Sequence, residues 1–337
     1  MKILFDHQLP FSLAHGGVQI QIEQTKIALE KNGVEVEFTR WWDGGQRGDL
    51  IHYFGATPLA QIRHMNAKGI PLVMTNLFSA TCNRTDARLR QQGFFVRTIL
   101  KLPFGEGVKQ QLSWRSFGLC AANVVGLEAE RRVLELVYGI PQEKIHIVPL
   151  GLAKIFLEAG PGHRIGNQLV CVGTITRQKN STELARLAHS AKVSILFVGK
   201  PYSEAEPCWQ EFKGLVDGRW VCHQPHIADP AAMIALLKSA RGFVLMSDFE
   251  NWCLSAHEAV ACGLPLLVQN QKWSQERFGN QARYFDKIGF SKRNAEILRK
   301  FWEDAPGLPA PEVKLFSWDD AANTLKTIYE RVLKTLK

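Results

Sequence analysis

Residues 249–265 read FENWCLSAHEAVACGLP and place Glu250 and Glu258 at the start of an apolar helical pattern. Strand-like runs flank this stretch, Gly242-Phe-Val-Leu-Met-Ser247 before it and Leu264-Pro-Leu-Leu-Val268 after it. A strand feeding a helix N-terminus at the C-terminal edge of a parallel sheet is where α/β proteins take up phosphorylated ligands, because unpaired amides and the helix dipole both favour an anion. The two carboxylates would bracket such a site. If the residues between them were all helical, eight steps of about 1.5 Å would separate the pair by roughly 12 Å. A plainer reading competes. Ser255 and Glu258 also fit a Ser-x-x-Glu capping box, in which the glutamate only ties down a helix start.

The 337 residues exceed a typical single core and suit two domains of about 150 residues each. Hydrophobic residues make up 46% and charged residues 22%, as expected for a globular protein with a large core. No apolar run approaches the roughly 20 residues of a membrane span. The opening MKILFDHQ has an Asp after three apolar residues, so no secretory leader is expected. Seven cysteines without a Cys-x-x-Cys pair fit a reducing cytoplasm better than a disulfide framework or a zinc site. The net charge of +9 favours anionic partners, but no nucleic-acid signature accompanies it.

Strand-like and helix-like segments alternate along the whole chain, which predicts an α/β fold with parallel sheets. Lys2–Phe5, Val34–Phe38, Leu50–Phe54, Pro71–Thr75, Asn123–Gly126 and Lys144–Val148 read as strands of a first unit. LEAGPGHRIGNQ, residues 157–168, is rich in Gly and reads as a linker. The rhythm restarts with Leu169–Val172, Val193–Val198, Trp220–Cys222, Phe243–Met246 and Leu264–Val268. Ala321, Leu325, Ile328, Tyr329, Val332 and Leu333 then recur at helical spacing. The expectation is two Rossmann-like domains: an N-terminal one over 1–156, a linker over 157–168, a C-terminal one over 169–316 and a terminal helix over 317–337.

Two further segments carry chemistry. In VCVGTITRQKN, residues 170–180, a strand ends at Gly173, a loop carries Arg177 and Lys179, and a helix opens near Asn180 or Ser181. Two cations beside a helix N-terminus suit a diphosphate, although solvated loop cations would look the same. His15-Gly16-Gly17-Val18 follows the first strand, and adjacent glycines let backbone amides approach a phosphate or simply turn the chain.

Together these segments resemble the GT-B glycosyltransferases of family four, which are retaining and use nucleotide sugars. The Gly-Gly loop, the interdomain segment Pro141–Gly151 (PQEKIHIVPLG), the phosphate loop Gly173–Asn180, the double-Glu segment Phe249–Pro265 and the helix that begins at Phe316-Ser-Trp318 follow in the family's order. The resemblance covers nearly the whole chain. It implies two Rossmann-like domains facing each other across a cleft, with the C-terminal helix packing back on the N-terminal, acceptor-side domain. It implies that Lys179 binds the donor diphosphate, with Arg177 sharing that role. Glu258 would accept hydrogen bonds from the ribose. Glu250 and the backbone amides of Asn251, Trp252, Cys253 and Leu254 would hold the sugar and phosphates, and Gly17 would lie against the diphosphate. The span estimated for Glu250 and Glu258 is comparable to the distance from sugar to ribose in such a donor.

The chain departs from the family in places. Phe-Glu-Asn-Trp-Cys stands where Phe-Glu-Gly-Phe-Gly is usual, and Asn76 stands where many relatives carry a His near the reaction centre. His52, His15 or His257 would be the substitutes, each also readable as structural or solvated. No Asp-x-Asp occurs, so the resemblance implies metal-free transfer, with no cofactor beyond a UDP- or GDP-linked donor. The expected acceptor is a glycan or glycolipid, such as a surface-polysaccharide intermediate. Residues 84–117 hold seven basic side chains against two acidic ones, interleaved with aromatics, which suggests peripheral contact at the inner face of a membrane or an ordinary half-solvated helix. Two other readings stay open: a weakly catalytic nucleotide-sugar-binding or scaffold protein, and a sugar-nucleotide epimerase or hydrolase.

Overall fold

A computed structural model describes residues 1–8, 10–12, 16–103, 109, 113–162, 166–286 and 289–335. The chain divides into two compact units. One holds residues 1–13, 18–151 and 318–337, and the other holds 14–17 and 152–317. The expected His15 lies outside the described residues, as do 104–108 and 110–112 of the basic segment.

Among the described residues the first unit carries six strands: β1 (Lys2–His7), β2 (Glu35–Phe38), β3 (Leu50–Phe54), β4 (Leu72–Thr75), β5 (Ala122–Val125) and β6 (Ile145–Ile147). All pair in parallel in the order β2-β1-β3-β4-β5-β6. Every residue of β3, β4 and β5 is buried, which is why these strands read as continuous runs and not as alternating patterns. The helix Gly17–Lys31 joins β1 to β2 and ends at Gly33, whose φ of +77° is the left-handed turn glycine tolerates.

The second unit repeats the plan with β7 (Leu169–Val172), β8 (Ile195–Val198), β9 (Val221–Gln224), β10 (Gly242–Leu245), β11 (Leu266–Gln269) and β12 (Arg283–Phe285). Their order is β12-β11-β10-β7-β8-β9, again parallel throughout. The edge strand β12 is three residues long and half solvated, too short and too polar to be read as a strand in the sequence.

The passage between units falls at Gly151 and Leu152, ahead of the segment expected as a linker. Residues 157–162 and 166–168 are fastened to the second unit instead. The Gly162 amide donates to Cys262 O (3.1 Å), the Gly166 amide to Ser239 O (2.7 Å), and Lys238 Nζ to Ala159 O (2.6 Å). A Cβ on Gly162 or Gly166 would lie 2.4 Å from Lys238 Cβ or Ser239 O. Here glycine permits close packing, whereas in the sequence it looked like flexibility.

The helix Trp318–Thr335 completes the first unit by burying Trp318, Ala321, Ala322, Leu325, Ile328, Tyr329 and Val332. Its polar anchor is His52 in β3. The Tyr329 hydroxyl meets His52 Nδ1 at 2.5 Å, and the Thr75 hydroxyl meets Nε2 at 2.6 Å. Burial pushes the imidazole pKa down to about 3, so the ring is neutral, with one nitrogen donating and the other accepting. His52 is therefore a structural joint. Asn76 is likewise tied into the first sheet, its Nδ2 donating to Met74 O (3.2 Å) and Val124 O (3.3 Å). Tyr329→Phe, which strands a buried ring nitrogen, is expected to destabilise the protein by about 1–3 kcal/mol in denaturant titration. An unchanged midpoint would assign the joint to apolar packing alone.

Candidate functional site

In the second sheet β7 and β10 are neighbours, although β8 and β9 intervene in sequence. The chain winds outward from β7 on one side, then resumes beside β7 on the other. At such a switch point the loops leaving the strands diverge, and ligands bind beyond the strand ends. The two loops here are residues 173–180 and 246–253, the segments that carry the sequence's strongest motifs.

Polar contacts clasp these loops together. Asn180 Nδ2 donates to Met246 O (3.0 Å) and Asp248 Oδ1 (2.7 Å), and Gln178 Nε2 donates to Phe249 O (2.8 Å). The Asp248 amide returns a bond to Gln178 O at 2.9 Å. Gln178 and Asp248 escaped the sequence reading because nothing in their spacing marks a partner seventy residues away. Asn180, a residue that tolerates the left-handed conformation it adopts (φ +51°), starts the helix Ser181–Ala191. At the base of the clasp, a Cβ on Gly199 would fall 2.0 Å from Gly173 O, so only glycine lets β8 exit beside β7.

The clasp sets Lys179 against Glu250. Lys179 Nζ donates to Glu250 Oε1, with side chains 21% and 10% exposed. Burial opposes the ammonium charge, but the Glu250 carboxylate outweighs it and the lysine pKa is raised. Lys179 is thus a fixed cation with a carboxylate counter-ion that an incoming anion would have to displace or share. Arg177 is exposed, and no ion pair to it is present among the described residues.

The helix bearing Glu258 starts later than the pattern suggested. It spans Leu254–Ala261, and Cys253 at its N-cap has a left-handed φ of +61° with no side-chain capping bond. Two expectations change with it. The eight-step helical span between Glu250 and Glu258 does not apply, because Glu250 to Cys253 is not helix. The capping box also fails, since Ser255 lies inside the helix and Glu258 caps nothing. Among the described residues no backbone carbonyl accepts from the amides of Trp252, Cys253 or Leu254. These are the unpaired donors an anion site requires.

The side chains of Trp252 and Cys253 point to a different duty. Trp252 is 3% exposed, stacked on His257 at 5.1 Å and covered by the Arg277 guanidinium 3.5 Å from its ring centre. His257 Nδ1 pairs with Cys253 O at 3.0 Å, and burial lowers its pKa to about 4, so it too is a neutral structural group. Burial raises the Cys253 thiol far above its usual range. From residues 252 and 253 a ligand therefore meets backbone amides and not the indole or the thiol. Asn251 and Leu254 are half-buried at the same corner.

Glu258 is half-buried, and among the described residues its carboxylate has no hydrogen-bond or ion-pair partner. Burial pushes its pKa up to about 7. An acceptor left unpaired on the helix that those unpaired donors open is what a polar ligand would complete. Gly17 is exposed, and a Cβ there would meet nothing within 4 Å. The constrained position is Gly16, with φ +114° and its would-be Cβ 3.3 Å from Thr174 Oγ1. Both residues group with the second unit. Among the described residues no three His, Cys, Asp or Glu side chains converge as metal ligands, and no helix is long and apolar enough to cross a membrane.

The sequence matches no protein-family model and no curated protein. Solved structures match over almost the whole length. Sucrose-phosphate synthase from Thermosynechococcus elongatus is 16% identical, with 99% of this chain and 100% of that one covered and a TM-score of 0.70. Anabaena HepE in complex with UDP-glucose is also 16% identical, covering 100% and 99% with a TM-score of 0.63. The lipopolysaccharide outer core galactosyltransferase WaaB is 13% identical, covering 100% and 98% with a TM-score of 0.59. The two parallel six-stranded sheets with flanking helices are those of the GT-B fold, with two Rossmann-like domains.

Glu258 generates a stability prediction of definite sign. Its folded pKa of about 7 lies above the ordinary 4.5, so the folded state holds the proton more tightly. The associated stability is fully present below pH 4.5 and is lost as pH rises through 7. Glu258→Gln, which carries no charge, is expected to be more stable than the parent at pH 8 by up to about 3 kcal/mol in denaturant titration, with the difference vanishing near pH 4. A difference that does not vary with pH would mean the carboxyl is not desolvated.

Proposed function

We propose that this protein is a retaining glycosyltransferase of the hexosyltransferase type, moving a sugar from a UDP- or GDP-linked donor to a glycan or glycolipid. The observation that carries the proposal is the corner at the switch point of the second sheet. The fixed cation Lys179 with the exposed Arg177 two residues before it, three unpaired amides at a helix start, and an unpaired carboxylate on that helix belong to this corner. That combination suits a diphosphate joined to a hydroxyl-rich group, and HepE, of the same fold, is described in complex with UDP-glucose.

In this reading Lys179 and Arg177 receive the diphosphate, and the amides of Trp252, Cys253 and Leu254 take the remaining phosphate oxygens. Glu250, released from Lys179 or shared with it, accepts from the sugar hydroxyls together with Asn251. Glu258 accepts from the ribose, and Gly17 lies along the diphosphate. Charge accumulates on the leaving phosphate as the glycosidic bond breaks, and donors already in place stabilise it without reorganising. The reading needs neither metal nor cofactor, and it has the acceptor attack from the face the diphosphate vacates.

A screen of nucleotide sugars with and without acceptor glycans tests the proposal. Lys179→Ala is expected to lower turnover by up to about 10²–10³-fold, the scale of a lost oxyanion donor, and activity should survive EDTA. Glu258→Ala should mainly weaken donor binding, by about 1.5–3 kcal/mol. Donor binding without turnover would favour the scaffold reading, a changed donor without acceptor the epimerase, and no nucleotide-sugar binding would reject the proposal.

The proposal includes an acceptor met at the cytoplasmic face of a membrane, a reading supported by the helix Asp86–Lys101. Its inner face buries Leu89, Gly93 and Val96, while Phe94, Phe95 and Ile99 are exposed among Arg88, Arg90 and Lys101. Sedimentation with anionic vesicles at low salt should be lost in high salt and on neutralising Arg88, Arg90 and Lys101. Equal recovery with and without lipid would point to a soluble acceptor.

A further inference from the structure

The most exposed large apolar side chains of the described residues are Trp41 and Trp42, at 82% and 84%. They occupy the two central positions of a turn in which the Asp43 amide donates to Arg40 O at 3.0 Å. Gly, Pro, Asn, Asp and Ser dominate such positions for conformational reasons, and two adjacent tryptophans serve none of them. Nothing local explains the pair, so an external contact is the better explanation.

The turn is built to hold its shape. Arg40 Nε and Nη2 donate to Asp43 Oδ2 at 3.0 and 2.8 Å, and Nη1 donates to Glu37 Oε2 at 2.8 Å. Gln46 ties the same turn to the strand, receiving the Arg40 amide at 2.8 Å and donating to Phe38 O at 3.0 Å. A second turn follows directly, from Asp43 to Gln46 through Gly44 and Gly45. Two indoles are thus presented on a braced scaffold, which removes part of the ordering cost of binding. The turn leaves the C-terminal end of β2, the edge at which α/β units take ligands.

Charge decides what the indoles meet. Residues 35–49 contain four acids (Glu35, Glu37, Asp43, Asp49) and two bases (Arg40, Arg47). Both bases are engaged, Arg40 as above and Arg47 with Gly44 O and Gln46 O at 2.9 Å. Lys2 supplies a third base, its Nζ paired with Glu35 at 2.8 Å and Glu37 at 2.6 Å, so the rim is close to neutral and offers an anionic lipid surface no basic patch, in contrast to the helix Asp86–Lys101. Flat aromatic faces beside carboxylates and carboxamides suit a neutral ligand with apolar C–H faces and hydroxyl edges. A saccharide has both.

We infer that Trp41 and Trp42 form a saccharide-binding platform on the first unit that engages sugar residues of the acceptor. The choice of ligand rests on the glycosyltransferase reading, so the experiment separates the two. Maltopentaose, cellopentaose and chitopentaose are titrated into the full chain by tryptophan fluorescence and calorimetry, and the nucleotide-sugar donor is titrated separately. At least one pentasaccharide is expected to bind with a shift in indole emission. The Trp41→Ala/Trp42→Ala double variant should lose about tenfold or more in that affinity, the scale of about 1.4 kcal/mol of ring contact. Its melting temperature and donor binding should stay unchanged, and Trp41→Phe/Trp42→Phe should recover part of the affinity. Pentasaccharide binding that survives in the alanine variant overturns the inference, as does failure of all three to bind. Vesicle binding that depends on the tryptophans, with no saccharide binding, overturns it in favour of a lipid surface. Loss of donor binding in the parent protein would instead count against the glycosyltransferase reading.

Discussion

The candidate site depends on the clasp between residues 178–180 and 246–249. Parallel strands supply neighbouring loops but do not fix them, because each loop leaves the sheet edge without ladder bonds. Asn180 removes that freedom by bonding both a carbonyl and a carboxylate of the opposite loop, and Gln178 adds a third bond next to it. Lys179 lies between these two fixed residues, so its side chain is carried to Glu250 by geometry set one residue to either side. The helix that begins after Asn180 then opens where the ammonium sits, and the dipole and the fixed cation act in the same place.

Beneath the second loop the support is apolar. Arg277, Trp252 and His257 stack as successive layers, and the His257 ring holds Cys253 O. This stack keeps Cys253 in a left-handed conformation without glycine. The three amides it leaves open are therefore products of packing far more than of a flexible loop, and bulky residues at 252 and 253 are compatible with an anion site.

Much of this was legible in the sequence, for reasons that differ by element. The buried central strands β3, β4, β7 and β10 could be read because strands covered on both faces are continuous apolar runs. The terminal helix could be read because its inward face repeats every three or four residues. Lys179, Glu250 and Glu258 were singled out by their place at strand-to-helix junctions together with the family resemblance, each with a plainer reading beside it. What spacing could not convey was conformation: the left-handed turn at Cys253 shortened the helix, removed the capping box and altered the separation of the two glutamates. Glycines misled in the same way. In residues 157–168 they serve close contact at Gly162 and Gly166, and composition cannot distinguish that from slack. His52 and His257 looked like candidates for a lost histidine, and only burial makes them structural, with His52 held at both ring nitrogens and His257 held at Nδ1 and by stacking on Trp252.

The first unit is discontinuous, with its last helix supplied by residues 318–335. During synthesis its six strands emerge early, yet the surface that will cover Tyr329 and its neighbours stays bare until the whole second unit has been made. His52 waits with one nitrogen unpartnered for the same interval. The second unit, drawn almost entirely from one continuous stretch, has no such delay. The order of completion is therefore the reverse of the order of appearance: the half made first is finished last, and the apolar surface that the helix Trp318–Thr335 covers waits longest for its cover.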